Sequence, residues 1–496
     1  MREETDVLIV GLGPVGAALG VYLGRMGVKA IAIERDMDVY PMPRAAHLDH
    51  ETMRLLHLAG GAEAVSKASQ PLSAYEFRNA KGELLMGFSQ RGALAPTGWP
   101  WTSMFHQPTL EHALRARLQS LPSVSVRLGH ALKSYRVEGE GVVADVETPD
   151  GTKEIAARFL IGCDGGNSTV RRRAEIGFDD MGFDEPWLVI DTVLKGGVTR
   201  ISTAGLQYCD PARPVTSMPM APGRHRFEFM LLPHEKPEDV VSDEAIASMI
   251  AVYHDPAQFE IERRAVYRFH ALIAKEWRKG PVILAGDAAH QMPPFLGQGL
   301  CSGTRDAANL AWKIEAVLRG RAGDALLDSY QVEREPHVRM ITGMAVALGK
   351  IVCTQDTEAA QARDRDMLAA PEEKRMNEII VLEGLKSGVM PGGGMVAPDA
   401  RLEGARLDDA AGFAPILIMR EASEASHAFA AAGGFAVTLA ALESGAEAIE
   451  ALMNGASALL VRPDRYVFGA GDAAALLSAW SAYLASGHAA VSAAAA

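Results

Sequence analysis

The chain has few cysteines and no long apolar run. Its four cysteines, at positions 163, 209, 301 and 353, form no C-x-x-C pair and no cluster with histidine. This spacing predicts neither a disulfide framework nor a metal site. No apolar stretch is long enough to cross a bilayer, and residues 1–6 lack the apolar core of a signal peptide. We therefore expect no membrane segment and a location in the cytoplasm.

Positively charged residues are fewer than negatively charged ones. The 49 Lys and Arg residues are outnumbered by 62 Asp and Glu, so the net charge is −13. Proteins that bind nucleic acid usually carry a basic patch, and this balance argues against such a partner. Hydrophobic residues make up 48% and charged residues 22% of the 496 positions, as in ordinary globular proteins. A chain of this length predicts two or three domains.

The first motif lies at the N-terminus. Residues 6–10 predict a strand, G-x-G-x-x-G follows at Gly11, Gly13 and Gly16, and residues 17–25 predict a helix. The glycines permit a tight turn and close approach to a pyrophosphate, which the helix N-terminus then holds. A second predicted strand ends in Glu34, where a carboxylate can bind both ribose hydroxyls and disfavours a 2′-phosphate. The pattern predicts a dinucleotide site but does not separate FAD from NAD.

The second motif is Gly286-Asp287, which follows the strand predicted over residues 281–285. A carboxylate at the end of that strand can accept hydrogen bonds from a ribitol chain. Prolines and glycines over 293–303 would let the backbone lie flat against a planar ring before a helix predicted over 304–319. The N-terminus of that helix favours the negative charge of a reduced flavin. The segment indicates a flavin, although a glycine-rich turn alone would also explain it.

The third motif is Asp164-Gly165, between a predicted strand and a basic helix start within residues 158–171. Here the chain resembles the aromatic hydroxylases among the FAD-dependent monooxygenases, which have the p-hydroxybenzoate hydroxylase fold. Their pattern joins a G-x-G-x-x-G, a central D-G and a downstream G-D, and all three are present in order over about the first 350 residues. Residues 266–271 and 285–295 look most like 3-(3-hydroxyphenyl)propionate hydroxylases, and hydroxylases of aromatic polyketides and resorcinols share much of this pattern.

The resemblance implies a reaction. FAD would be bound without a covalent link, NADH or NADPH would reduce it as a transient co-substrate, and O2 would then form a flavin C4a-hydroperoxide that hydroxylates a small phenol. No second strand-linked G-x-G-x-x-G offers the nicotinamide nucleotide a domain of its own. The FAD contacts that the resemblance implies are Gly11, Gly13, Pro14, Val15, Gly16, Glu34, Arg35, Arg44, Gln107, Asp164, Asp287, Pro294, Gly297, Gln298, Gly299 and Leu300.

Several of these roles have plain structural alternatives. Arg44 could be a solvated surface arginine, and Gln107 could cap the helix that follows it. For catalysis we predict Pro294 and Tyr267. We predict that His225, Met218 and Tyr267 line the substrate cavity, although core packing explains these three about as well. His290 has the chemistry of a base, but oxygen transfer from a flavin needs no base in its loop, so we predict a structural or cofactor-lining role.

The expected fold class is α/β. It comprises a Rossmann-like FAD-binding domain, an inserted β-sheet domain that covers the substrate, and a small C-terminal domain that resembles thioredoxin but lacks C-x-x-C. Predicted boundaries are 1–180 and 271–390 for the FAD-binding part, which includes interleaved segments and a helical connection, 181–270 for the substrate domain and 391–496 for the C-terminal domain. Strands are predicted over 187–191, 226–232, 415–419 and 458–461, and residues 489–496 are predicted to form a frayed tail.

Two other classes of function stay open. A flavin-dependent halogenase would need a W-x-W-x-I-P segment, and the chain has Trp99-Pro100-Trp101 followed by Thr102-Ser103-Met104. A flavin-binding protein without catalytic activity could act through its C-terminal domain. The expected partners are a small phenol and O2, with a homodimer as an open alternative.

Overall fold

The computed structural model describes residues 2–90 and 92–488. Its strands are β1 (Glu3–Val10), β2 (Ala30–Glu34), β3 (His47–Asp49), β4 (Ala74–Asn79), β5 (Leu84–Ser89), β6 (Thr102–Met104), β7 (Val124–Leu128), β8 (Ala131–Glu138), β9 (Gly141–Thr148), β10 (Gly151–Gly162), β11 (Phe178–Leu194), β12 (Ala204–Cys209), β13 (Val215–Pro219), β14 (Arg224–Met230), β15 (Phe259–Ala274), β16 (Arg278–Lys279), β17 (Val282–Leu284), β18 (His290–Gln291), β19 (Met376–Glu378), β20 (Arg401–Leu402), β21 (Ala405–Arg406), β22 (Ile416–Met419), β23 (Phe435–Thr438), β24 (Ala458–Val461) and β25 (Val467–Gly471).

The helices, in the same order, are α1 (Pro14–Arg25), α2 (His50–Leu58), α3 (Ala62–Lys67), α4 (Gln107–Gln119), α5 (Thr169–Arg173), α6 (Pro237–Val240), α7 (Asp243–Ile250), α8 (Gly299–Leu318), α9 (Ser329–Val352), α10 (Thr357–Leu368), α11 (Glu372–Arg375), α12 (Leu407–Ala411), α13 (Glu424–Ala431), α14 (Ala446–Met453) and α15 (Ala473–Ser486). Single 3₁₀ turns lie at Pro256–Gln258, Gly286–Ala288, Pro294–Leu296, Asp324–Leu327 and Leu439–Ala441.

The first sheet is the Rossmann-like part of the fold. Its strands run in the order β16-β17-β10-β1-β2-β7, and all neighbours from β17 to β7 are parallel. The apolar runs of β1 and β2 are buried on both faces, as expected for a parallel sheet with helices on each side. Helix α1 packs against α4 and α8. The carboxyl ends of β1, β2, β10 and β17 therefore lie at one edge, where such sheets bind ligands.

The second sheet has the order β18-β15-β11-β14-β13-β12-β4-β5-β19. Its centre is the long antiparallel pair of β11 and β15. One face packs on an apolar cluster that includes Leu188, Phe227 and Phe229 with residues of α6 and α7. Strands β4, β5 and β19 join this sheet from outside residues 181–270, as interleaved segments of the chain. The exact domain boundaries stay a prediction.

The C-terminal sheet has the order β23-β22-β24-β25, with β22 parallel to β23 and antiparallel to β24. Helices α13 and α14 connect its first three strands and α15 follows the last. This β-α-β-α-β-β-α order is the thioredoxin topology, so the predicted fold class is confirmed. The predicted tail over 489–496 lies outside the described residues.

Buried ion pairs join the C-terminal domain to the rest of the protein. Glu333 of α9 accepts hydrogen bonds from Arg462 Nη2 at 2.7 Å and from Lys313 Nζ at 2.8 Å. Burial alone would raise the pKa of Glu333, but Arg462 and Lys313 outweigh burial and hold it at about 2. Asp408 pairs in the same way with Arg54 at 2.6 Å and Arg465 at 2.8 Å. Removing one partner would leave a buried charge uncompensated, so these pairs fix how the two parts dock.

Candidate active site

A cavity of about 2140 Å³ lies between the first and second sheets. The three motifs predicted from the sequence meet on its wall. The predicted residues that line it are Gly11, Gly13, Pro14, Val15, Glu34, Arg35, Arg44, Gln107, Asp164, Met218, Tyr267, Asp287, Pro294, Gly297, Gln298, Gly299 and Leu300. Gly16 and His225 are the predicted site residues that do not line it.

The glycines of the first motif have two different roles. A Cβ on Gly16 would lie 2.0 Å from the carbonyl oxygen of Gly11, and one on Gly11 would lie 2.5 Å from that of Cys163. Both positions therefore require glycine for the packing of the turn itself. Gly13 has nothing within 4 Å of its missing Cβ, so its bare backbone faces open space at the start of α1. This is a cradle for an anionic group at a helix N-terminus.

Glu34 ends β2 beside this turn. Its Oε2 accepts a hydrogen bond from Leu12 N at 2.8 Å, and its Oε1 accepts one from Asp36 N at 3.2 Å. The carboxylate thus fixes the glycine turn and still lines the cavity. Arg35 lies at the rim, where its exposed side chain pairs with Asp36.

Gln107 holds the loop that carries Arg44. Its Oε1 accepts hydrogen bonds from Arg44 N at 3.0 Å and Ala45 N at 2.7 Å, and its Nε2 donates to Glu111 Oε1 at 2.7 Å. Gln107 is the first residue of α4, and the preceding His106 makes no side-chain cap. The helix-cap alternative for Gln107 is therefore wrong, because its amide is used to shape the Arg44 loop. The guanidinium of Arg44 lies over the ring of Tyr40, 5.1 Å from its centre.

Asp164 has a structural task that the sequence analysis did not foresee. Its Oδ2 accepts hydrogen bonds from Thr169 N at 2.7 Å and Val170 N at 3.1 Å, and its Oδ1 accepts one from Ser168 Oγ at 2.5 Å. The carboxylate therefore satisfies the first N–H groups of α5 while it lines the cavity. The N-cap of α5 is Ser168, whose Oγ accepts a hydrogen bond from Arg171 N at 2.9 Å, and a serine at this position is a sequence signal for a helix start.

Asp287 and His290 lie in different surroundings. The side chain of Asp287 opens into the cavity, and burial raises its pKa while His290 and Arg44 oppose the rise. His290 is buried away from the cavity, with its Nε2 2.6 Å from Asp306 Oδ2. Asp306 also accepts hydrogen bonds from Gly286 N at 3.2 Å and Arg334 Nε at 3.0 Å. His290 thus takes a structural place, and Asp306 is the residue that ties this loop to α8 and α9.

The segment 294–300 brings the start of α8 to the cavity. Gly297 has φ +63°, and a Cβ there would lie 2.9 Å from His47. The helix begins at Gly299, earlier than the predicted Thr304, and Gln298, Gly299 and Leu300 at its start line the cavity. Such a helix start stabilises negative charge. Pro294, which has no titratable group, contributes shape to the same wall.

The structure places only two of the three predicted substrate contacts at the cavity, because side chains alternate between the two faces of the second sheet. Met218 and Tyr267 line the cavity, and Arg263 lies 5.0 Å from the centre of the Tyr267 ring. His225 points to the opposite face, where it contacts Ser217 Oγ at 2.9 Å and packs near Phe227. Successive side chains of a strand point to opposite faces, which excludes His225 from the cavity. Burial lowers the pKa of His225 to about 3, so it is a neutral core residue.

The sequence analysis missed the polar side chains on the cavity face of the second sheet. Arg226 and Glu228 of β14, Thr216 of β13, Gln207 of β12 and Tyr75 of β4 all line the cavity. The signal was present in the sequence, because Arg226 and Glu228 alternate with Phe227 and Phe229 along β14.

Across the described ranges, no group of three or more His, Cys, Asp and Glu side chains is placed to hold a metal ion. Among residues 2–90 and 92–488, the helices also lack the combination of length and apolar character that crossing a bilayer requires.

Comparison with known proteins identifies the family. Residues 4–345 match the model of the FAD binding domain. The chain belongs to the FAD binding domain family. It is 38% identical to a probable NADH-specific resorcinol 4-hydroxylase of Rhodococcus jostii over 96% of this chain and 94% of the relative. It is 37% identical to a 3-(3-hydroxy-phenyl)propionate/3-hydroxycinnamic acid hydroxylase of Mycolicibacterium smegmatis over 73% of this chain, and that match spans 63% of the relative.

Among solved structures, a complex of aklavinone-11 hydroxylase with FAD and aklavinone is 27% identical, with a TM-score of 0.81, over 98% of this chain and 99% of that one. The comparisons confirm the predicted resemblance to FAD-dependent aromatic hydroxylases and the predicted cofactor. The cavity fits FAD, because the Gly13 cradle, the Glu34 carboxylate, Asp287 and the start of α8 lie along one wall.

Proposed function

We propose that the protein is an FAD-dependent monooxygenase that uses NADH or NADPH and O2 to hydroxylate the ring of a small phenol. The observation that carries this proposal is the cavity itself. One wall gathers the three motifs for a flavin nucleotide, and the facing wall is a sheet whose polar side chains include a buried carboxyl group. A cofactor and a hydroxylated ring can meet between these walls.

The chain's own residues would hold FAD at distinct points. Gly11 and Gly13 with the N-terminus of α1 would receive the pyrophosphate, Glu34 the ribose, and Asp287 the ribitol chain, with Gly16 keeping the turn closed. When bound, FAD supplies the redox chemistry by which electrons from the nicotinamide nucleotide activate O2.

The cavity must also keep water from the reacting ring. Apolar side chains form part of its lining, among them Met104, Val189, Phe269 and Met292. Residues 379–382, which follow β19, add further apolar side chains to the lining. Tyr267 and Pro294 form part of the same wall, and we propose that they position the substrate ring rather than move protons.

For the substrate we propose a resorcinol-type or 3-(3-hydroxyphenyl)propionate-like phenol. The match to the resorcinol hydroxylase relative covers nearly the whole of both chains, which favours the first class. A hydroxylated aromatic polyketide is a second candidate, because the aklavinone-11 hydroxylase structure aligns over 98% of this chain and the cavity is large.

A screen of phenols with the purified, FAD-loaded protein tests this function. We expect resorcinol-type phenols to accelerate the oxidation of NADH or NADPH and to yield a ring-hydroxylated product, which mass spectrometry identifies. A flavin-binding protein without catalytic activity would show no such acceleration with any phenol. If a phenol accelerates the oxidation of NADH or NADPH but yields hydrogen peroxide and no hydroxylated product, that phenol binds without being a substrate.

We also propose that the protein works in the cytoplasm, where its nicotinamide co-substrate is supplied. Light scattering of the purified protein decides between a monomer and the homodimer.

A further inference from the structure

A row of hydrogen-bonding side chains crosses four strands on the cavity face of the second sheet. Gln207 Nε2 donates to Tyr75 Oη at 2.6 Å, and Thr216 Oγ1 donates to Gln207 Oε1 at 2.9 Å. Thr216 and Glu228 are register partners on β13 and β14, and their side chains are also within hydrogen-bonding reach. The row therefore runs from Tyr75 through Gln207 and Thr216 to Glu228.

An ionised carboxylate only accepts hydrogen bonds, and its two oxygens offer about four lone-pair sites. A threonine hydroxyl has a single hydrogen, so Thr216 can satisfy at most one of these sites. Glu228 lines the cavity and therefore keeps acceptor sites for a hydroxyl group that enters it.

The charges near Glu228 are held in place by other partners. The Nε and Nη2 atoms of Arg226 donate to Asp191 at 2.7 and 3.1 Å, and its Nη2 and Nη1 also donate at 2.8 Å to the carbonyl oxygens of Pro43 and Arg44. Its nearest contact with Glu228 is 3.9 Å, between Nη1 and Oε1, which is too long for a hydrogen bond. Arg226 thus places a positive charge near Glu228 but donates no hydrogen bond to its carboxylate.

The charged and titratable groups that face Glu228 are Arg226 on its own strand, Asp191 on β11 and Tyr75 on β4. Burial raises the pKa of Glu228 to about 7, with Arg226 and Thr216 opposing and Asp191 adding to the rise. A carboxylate with this pKa is a stronger proton acceptor than an ordinary glutamate, and it is ionised in about half of the molecules at neutral pH.

We propose that Glu228 accepts the hydrogen bond of a substrate phenol hydroxyl and takes its proton. The phenol O–H bond breaks, a carboxyl O–H bond forms on Glu228, and the negative charge moves from the carboxylate to the phenolate oxygen near Arg226. The phenolate is richer in electrons at its ortho and para carbons than the phenol, which favours attack there. This inference rests on the proposed function, because it names the residue that recognises the substrate of the same site.

The proposal also favours one substrate class. A second hydroxyl on a neutral ring can donate to a carboxylate, whereas a substrate carboxylate placed beside Glu228 would meet a like charge at close range. The geometry therefore fits a neutral dihydroxybenzene better than a phenylpropionate whose carboxylate is directed at this strand.

Calorimetric titration of resorcinol into the FAD-loaded protein tests the assignment without relying on turnover. For the wild type we expect the Kd to fall by up to about tenfold between pH 6 and pH 8, as Glu228 ionises. In Glu228→Gln the Kd should not change with pH over this range. Glu228→Leu, which offers no acceptor, should bind roughly ten- to a hundredfold more weakly than the wild type at pH 8.

The matched control is Glu76→Gln. Glu76 lies next to Tyr75 on β4, pairs with Arg78 and does not line the cavity, so this variant should bind resorcinol as the wild type does. Circular dichroism and FAD content must match the wild type for every variant compared. A Glu228→Gln protein that is folded and keeps the wild-type pH dependence of the Kd would overturn the proposal.

The pH profile of product formation separates proton transfer from simple binding. In Glu228→Gln, hydroxylation of a bound phenol should be slow near pH 7 and should recover toward the phenol's own pKa of about 10. If the wild type hydroxylates phenols and Glu228→Gln shows the same profile, this inference fails while the proposed function stands. If no phenol is hydroxylated by the wild type, the proposed function itself fails.

Discussion

Asp287 and His290 stand three positions apart, yet their surroundings give them different roles. Asp287 opens into the cavity beside the proposed flavin position, whereas His290 is buried and its Nε2 lies 2.6 Å from Asp306. Histidine is the more frequent proton-transfer residue by chemical type. From these positions we propose a cofactor contact for the aspartate and a structural contact for the histidine.

Substituting each residue separately tests this difference. Asp287→Ala should lower FAD occupancy and activity together, because the ribitol chain loses a charge-assisted acceptor worth about 1.5–3 kcal/mol. His290→Ala should melt at a lower temperature, since Asp306 loses a partner, but should retain FAD and hydroxylate. Flavin absorbance per protein and product yield are the measurements. Two results together would reverse the assignment. Asp287→Ala would have to stay active, and His290→Ala would have to bind and reduce FAD without forming product.

The raised pKa of Glu228 also predicts how stability changes with pH. A carboxyl group whose pKa rises on folding contributes stability that is present at low pH and is lost as pH rises through the folded value of about 7. Glu228→Gln has no such titration. Between pH 5 and pH 8, this titration should lower the free energy of unfolding of the substrate-free wild type by up to about 3 kcal/mol relative to that of the variant. Denaturant unfolding at both pH values measures it, and parallel behaviour of the two proteins would contradict the burial of this charge.

Residue positions were predictable where a motif fixed them and not where distant strands did. Glu34 is the last residue of β2 and Asp287 comes three residues after β17, so their arrival at the cavity could be inferred from local sequence. The partnership of Asp306 with His290 and Arg334 joins separate elements, and nothing local signals it. His225 was misassigned because the face of β14 that turns to the cavity depends on how the sheets pack.

At the scale of elements, two glycines of the turn before α1 serve different purposes, one in folding and one in binding. Gly16 is closed in by the carbonyl of Gly11, and Gly13 is open to the cavity. The strands flanking this turn and the helix after it were predicted from local pattern. Helix α8 starts at Gly299, earlier than predicted, and its own Arg305 donates from Nη1 to Oε1 of the N-cap residue Gln298 at 3.1 Å.

Two alanine variants of this turn should therefore behave differently. Gly16→Ala places a Cβ 2.0 Å from a backbone oxygen, so the protein should lose several kcal/mol of stability or fail to fold. Gly13→Ala meets no protein atom and keeps an allowed φ of −64°, so the FAD-free protein should melt as the wild type does. Its methyl group should nevertheless weaken FAD binding. Melting curves and FAD titration of both variants decide, and the idea fails if Gly13→Ala binds FAD normally.

At the scale of the whole molecule, the order of motifs predicted the architecture. The Rossmann-like sheet, the inserted sheet and the thioredoxin-like domain are all present. The pairing of β4 with β12, and of β19 with β5, joins segments that are far apart in sequence. The burial of the Glu333 and Asp408 ion pairs depends on how the domains dock. Such long-range contacts leave no local periodicity, so they could not be predicted from the chain alone.

The central claim is that this cavity transfers one oxygen atom from O2 to a phenol. Turnover of the FAD-loaded protein with NADH or NADPH, a resorcinol-type phenol and isotopically labelled O2 tests it most directly, with mass spectrometry of the product. The account predicts one labelled oxygen atom in the newly formed hydroxyl group. Product whose new oxygen comes from water would contradict the account.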